Sequence, residues 1–266
     1  MNASAAILDH LPPAMLVMFR IGGLTIFGPV FGSPIVPVRI KVFLSVLLGL
    51  AIYPLVASQL LGPMPTITLA TIAPIIALEL LIGLVIGFLA SVPLLAMQTG
   101  GLIMGQQMGL GFAQFFNPAI DDEADVIGQV LFFFALAGFL VIGGHEAMIL
   151  AVMDSFQHVP LGSLTVDQSL INVVTGLVLA SFELAMRVSA PLLALIFLES
   201  IALGFVSRTV PQLNILSLGF PLRILVGFFI VTVGLVVTQE VMLEGIDHGL
   251  HVIFGWIESQ GLTGHG

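Results

Sequence analysis

Residues 69–97 form an apolar run that carries a single charge, Glu79. A hydrocarbon core ~30 Å thick takes ~20 helical residues to cross, so this run alone is long enough to span a membrane. In lipid the backbone has no water to bond, and a helix satisfies its N–H and C=O groups internally. Further runs occupy residues 14–31, 42–61, 126–142 with an extension toward 152, 177–206 and 222–237, followed by a more amphipathic tail over 241–257. Residues 177–206 exceed one crossing and contain Pro191, a kink position. The expectation is an all-α, polytopic membrane protein of long apolar helices forming hairpins, with about six crossings.

Composition excludes the main alternative. Only 8% of the 266 residues are charged and 58% are hydrophobic, against about 25% charged in soluble domains. A soluble enzyme of this size could not screen so much apolar surface. The net charge of −9, with six scattered basic residues, argues against nucleic acid or an anionic surface, which call for clusters of Lys and Arg. There is no cysteine, hence no disulfide framework and no thiolate chemistry. Residues 1–13 contain Asp9 and no Lys or Arg, unlike the basic start of a cleavable signal, so the first apolar segment is expected to be retained.

The junctions fall at 32–41, 62–68, 100–125, 155–168 and 207–221. Arg39 and Lys41 lie in the first, while Arg208 and Arg223 flank the fifth. The second and fourth hold no basic residue. The positive-inside rule then places the odd junctions in the cytoplasm and both termini outside.

The third junction is the most unusual. Gly101, Gly105 and Gly109 recur every four residues, which gives a helix a smooth face for close backbone approach. Met97, Met104 and Met108 form a second stripe of flexible, adaptable side chains. Beyond them come Leu110, Gly111 and Phe112, then Phe115, Phe116, Asn117 and Pro118, and an acidic stretch with Asp121, Asp122, Glu123 and Asp125. Such residues make a pliable loop with bulky apolar tips. It is either a loop that occludes a pore or a cytoplasmic loop anchored by phenylalanine at the interface.

Glu183 and Arg187, four apart in an apolar run, share a helix face and can pair. They form either a lock between helices of neighbouring subunits or part of an ion or proton relay. Glu79 and Glu199 read as lone carboxylates. Arg20, in the first segment, is too costly to expose to lipid, so that segment faces protein or water. His248 and His251, with Glu244 and Asp247 nearby, fall short of the three or four converging ligands of a zinc site; no metal or cofactor is expected. No nucleophile elbow, phosphate loop or dinucleotide fingerprint occurs. On the residues alone, a secondary transporter for a small solute and an intramembrane enzyme are the other readings; the second lacks any catalytic constellation.

Phe19-Arg20, the run 29–32 (PVFG) and Pro37-Val38-Arg39 begin a pattern that continues with the run 105–112 (GQQMGLGF), Phe116-Asn117-Pro118 and Gly128-Gln129. It ends with Pro211-Gln212-Leu213-Asn214 and Gly219-Phe220-Pro221. Along nearly its whole length the chain resembles the FliR family, the type III export-gate subunit of flagella, called SctT in injectisomes. One departure is Asn117-Pro118, where the family is expected to carry Asp-Pro and a less acidic segment after it.

The resemblance implies a non-enzymatic subunit of a helical, hetero-oligomeric export gate in the bacterial inner membrane, at the flagellar basal body. Its implied partners are FliP-like, FliQ-like and FlhB-like subunits, and unfolded proteins pass through the central channel. It further implies a FliP-like region over 1–175 and a FliQ-like hairpin with a C-terminal tail over 176–266. The hairpin's cytoplasmic turn would carry Arg208, Pro211, Gln212, Asn214, Gly219, Pro221 and Arg223. The loop from Gly109 to Pro118 would plug the closed channel. Much of the assembled gate would lie above the bilayer, with Arg20, Glu183 and Arg187 buried between helices or subunits.

Overall fold

The computed structural model describes residues 3–33, 35–57, 72–110, 125–162, 168–210 and 215–263. Their regular structure is helical: α1 (Ala3–Phe27), α2 (Val38–Val56), α3 (Ile72–Met108), α4 (Val126–Val141), α5 (Gly144–His158), α6 (Gln168–Thr209) and α7 (Ile215–Thr263). No strand occurs among the described residues, and the all-α expectation holds. Four helices are long and apolar enough to cross a membrane. The number rises to six if α4 with α5, and the two arms of α7, each count as one span.

Several boundaries differ from those read in the sequence: α1 begins at Ala3 rather than at residue 14, α6 at Gln168 rather than 177, and α7 at Ile215 rather than 222. α3 does not stop near residue 97 but continues through the Gly/Met stripe to Met108. The fourth segment does not extend to 152 as one helix. It ends at Val141, and Gly143, with φ 76°, starts α5. α7 is helical through the interval 238–240 and bends near residues 236–237, so the amphipathic tail is its second arm. α6 stays helical through Pro191. At ~1.5 Å per residue, α3 and α6 have contour lengths of about 55 and 63 Å, well beyond a ~30 Å hydrocarbon core.

The chain packs as two compact units. Unit 1 comprises Met1–Val92, Leu140–Leu177 and Asp247–Gly266. Its core includes Leu16, Val17, Ile21 and Leu24 of α1, Ile82, Val85, Ile86 and Leu89 of α3, and Met148, Val152 and Phe156 of α5. The α1 and α3 backbones touch: a Cβ on Gly83 would run into the Arg20 carbonyl, and one on Gly23 into the Leu80 carbonyl. Small residues allow this approach where lipid offers no hydrophobic drive to bring helices together.

Unit 2 comprises Pro93–Phe139 and Val178–Ile246. Met97, Met104 and Met108 of α3 are buried there with Leu131, Ala135 and Phe139 of α4, and with Ala185, Val188 and Leu192 of α6. The outward faces of α6 and α7 are apolar and bare; Phe182, Phe197, Phe205, Leu225 and Phe229 are all exposed. In the α6 window Leu170–Thr209 only 22% of residues are buried, against 61% for α3.

Candidate functional site

The Gly/Met face lies on the last turns of α3, in unit 2. Met and Gln supply helix propensity across this stretch, and the helix runs on through Gly100, Gly101 and Gly105 until Gly109 ends it. A Cβ on Gly101 would lie 2.6 Å from the Gly128 Cα of α4, so the two helices cross at a pair of glycines. Met108 is fully buried and fills the space above Gly227 of α7. Gln106 and Gln107 are exposed.

α3 ends in a Schellman cap. The Gly109 N–H donates to the Gln106 carbonyl at 3.0 Å, and the Leu110 N–H donates to the Gly105 carbonyl at 3.1 Å. Gly109 adopts φ 83°, a left-handed conformation in which a side chain is strained. Gly109 is buried and Leu110 half-buried. Gly111, Phe112, Phe115, Phe116, Asn117 and Pro118 lie outside the described residues, as do Asp121, Asp122 and Glu123. Asp125 Oδ2, beyond that segment, accepts from Gln98 Nε2 of α3 at 3.0 Å. Both flanks of the 111–124 segment are therefore fastened to α3. The two fastening points stand about 16 Å apart along its axis.

α6 and α7 form a hairpin in unit 2. Near its turn, Arg223 Nε donates to Glu199 Oε2 at 3.3 Å and Arg223 Nη2 to Ser200 Oγ at 2.9 Å. A Cβ on Gly219 would touch Leu203 at 3.0 Å. Arg208 sits in the last turn of α6, where a cation complements the helix dipole. Pro221 lies inside α7. Pro211, Gln212 and Asn214 are outside the described residues.

Farther along the hairpin, Arg187 Nη2 donates to Glu183 Oε1 at 2.9 Å, and Arg187 Nη1 stands 3.9 Å from Glu244 Oε2 of α7. The three side chains are 53%, 71% and 75% exposed, in the order Arg187, Glu183, Glu244. Glu183 and Arg187 pair as their spacing suggests, and this chain leaves the pair bare.

Arg20 is the opposite case. It is fully buried in unit 1 and uses all three arms of its guanidinium. Nε donates to Glu79 Oε2 at 2.7 Å, Nη1 to Ser155 Oγ at 3.0 Å and Nη2 to the Val159 carbonyl at 3.0 Å. The Phe156 ring covers it, with the guanidinium carbon 4.3 Å from the centroid. Glu79 in turn accepts from the Gly162 N–H at 2.8 Å. The pair thus ties α1, α3 and α5 together and fixes both ends of the 159–162 turn.

Glu79 and Glu199 are therefore not lone carboxylates. The signal was present for Glu79: it is the one charge of its apolar run, as Arg20 is of its own, and each demands a partner. The pairing of Arg187 with Glu244 was also missed. Glu244 lies close in sequence to the histidines but pairs with Arg187, whereas His251 meets Asp247, at 3.5 Å and exposed. Among the described residues no three metal-ligating side chains converge. The ion pairs of Arg20, Arg187 and Arg223 hold helices in register.

Comparison with known proteins bears on the whole arrangement. The family model described as "Bacterial export proteins, family 1" matches residues 11–249. The flagellar biosynthetic protein FliR of Bacillus subtilis (strain 168) is 30% identical over 237 residues, covering 86% of this chain and 88% of the relative. That of Escherichia coli (strain K12) is 30% identical over 79% of each chain. The Yop proteins translocation protein T of Yersinia pestis is 29% identical over 66% of this chain and 67% of its own length.

Proposed function

The chain belongs to the bacterial export proteins, family 1, and on that premise we propose that it is a FliR-type subunit of the flagellar type III export gate. It forms part of the protein-conducting channel for unfolded flagellar proteins, in the bacterial inner membrane at the basal body. It assembles there with FliP-like, FliQ-like and FlhB-like subunits. Residues 1–175 take the FliP-like part and 176–266 the FliQ-like hairpin, with its turn in the cytoplasm.

The observation that carries this reading is the bare, overlong hairpin. α6 is 42 residues long and mostly uncovered. Half of such a helix lies beyond any hydrocarbon core, and its exposed ion cluster is at odds with lipid. Neighbouring subunits cover both features. Tagged chain extracted in mild detergent from flagellated cells is expected to bring down the other gate subunits in fixed proportion. Recovery of the chain alone, monodisperse and folded, would sink the reading.

The segment after the α3 cap is the plug. Leu110, Phe112, Phe115 and Phe116 fill the lumen against ions and water, and Gly109 and Gly111 let it swing aside for substrate. Gly109 supports this by giving the segment a fixed point of departure. Deleting residues 110–116 is expected to raise ion leakage through the gate severalfold while assembly is retained, as read by conductance and by recovery of the complex. Unchanged conductance in an assembled gate rejects the plug.

A further inference from the structure

Between α6 and α7, within unit 2, lies a cleft of about 160 Å3 that Met104 of α3 and Leu131 of α4 also line. Pro191, Leu192, Ile230 and Val231 supply apolar walls, Gly234 leaves one side low, and Arg187 stands at the rim. A Cβ on Gly234 would meet nothing within 4 Å. An apolar space of ~150 Å3 accepts a group the size of benzene, so the cleft takes one aromatic or branched side chain.

The rim specifies what carries that side chain. Arg187 is shared between Glu183 and Glu244, so the cluster holds one guanidinium and two carboxylates. A bare, unbalanced cluster beside apolar faces is costly to cover with acyl chains. The chain has no free Lys or Arg of its own to add. Arg20 is engaged by Glu79, Lys41 donates to the Gly32 carbonyl at 2.9 Å, and Arg223 is engaged by Glu199. Arg39 and Arg208 sit at helix ends, so a second copy would bring no free cation within an apolar helix either.

We propose that this cleft seats an apolar membrane helix of a different gate subunit. That helix inserts a phenylalanine or branched aliphatic side chain beside Gly234 and offers a Lys or Arg, one turn away, to Glu183 and Glu244. This inference rests on the export-gate reading and adds the docking chemistry of one face.

The test uses the full chain co-expressed with its export apparatus. A diazirine side chain close to valine in size replaces Val231 and is activated by light in membranes. The expected adduct is an apolar peptide of another subunit with Lys or Arg within about four residues of the attachment point, the span of one helical turn. An adduct with lipid, with a second copy or with the chain itself overturns the proposal, as does no adduct. In parallel, Gly234→Phe fills the cleft from within and is expected to lower recovery of the complex about tenfold or more, whereas Gly234→Ala leaves it unchanged. If Gly234→Phe does not accumulate in membranes, the exposed double substitution Glu183→Gln/Glu244→Gln serves instead, with the same tenfold loss expected. Wild-type chain that recovers no partner defeats the gate reading itself. Wild-type recovery matched by the cleft or charge variants defeats only this docking face.

Discussion

Two arginine–glutamate pairs of this chain have the same chemistry and opposite surroundings. Arg20 and Glu79 are 0% exposed and every arm of the guanidinium is used. Arg187 and Glu183 are more than half exposed, and a further carboxylate stands nearby. Burying two charges costs several kcal/mol per ion and is repaid only when the remaining hydrogen bonds are also made. Unit 1 supplies them from Ser155, Val159 and Gly162, so its pair is complete within one chain. Unit 2 leaves its pair unfinished. The difference separates a charge that stabilises the subunit from one that waits for a neighbour.

The largest expected effect lies on the completed pair. Arg20→Met strands the Glu79 carboxylate in a sealed interior and is expected to cost about 3–5 kcal/mol, seen as loss of folded chain from the membrane. The double variant Arg20→Met/Glu79→Met should be recovered better than either single one, because no charge is left unpaired. A double variant as poor as the singles would show that the pair is no self-contained unit. A smaller loss, about 1–3 kcal/mol, is expected for Gly83→Ala, whose new methyl meets the Arg20 carbonyl and pushes α1 off α3. Thermal unfolding of the purified chain in detergent reads it. The smallest effect on the subunit belongs to Arg187→Ala, ~1 kcal/mol or less, yet this variant should markedly reduce recovery of the assembled complex. If it instead unfolds the chain as Arg20→Met does, the contrast between the two pairs collapses.

Much of unit 1 and the helical class were legible because an apolar run in lipid has one solution, and because a lone Arg in such a run must find a partner. The identity of that partner was not legible. Glu79 is 59 residues from Arg20, and only the crossing of α1 over α3 brings them together. The Gly101 face was legible as a close-approach surface, since the four-residue spacing sets it on one side of a helix. Its counterpart Gly128 was invisible, because nothing local marks which glycine of α4 it meets. Glu183 and Arg187 were legible as a pair from their i,i+4 spacing. Their exposure was not, since apolar sequence reads alike whether lipid, its own chain or another chain covers it. The third apolar run ends near residue 97 because Gln98 and the glycines after it lower its hydropathy, yet the four-residue spacing already marks a helix there, and α3 continues to Met108.

The sealed end of α3 has a mechanical consequence. An ordinary helix terminus frays, and a pull on the chain beyond it is absorbed turn by turn. Here the carbonyls of Gly105 and Gln106 are already closed by Leu110 and Gly109, and Met104 and Met108 are packed beneath them. A force applied after residue 110 therefore has two hydrogen bonds to break before the last turn of α3 can unwind.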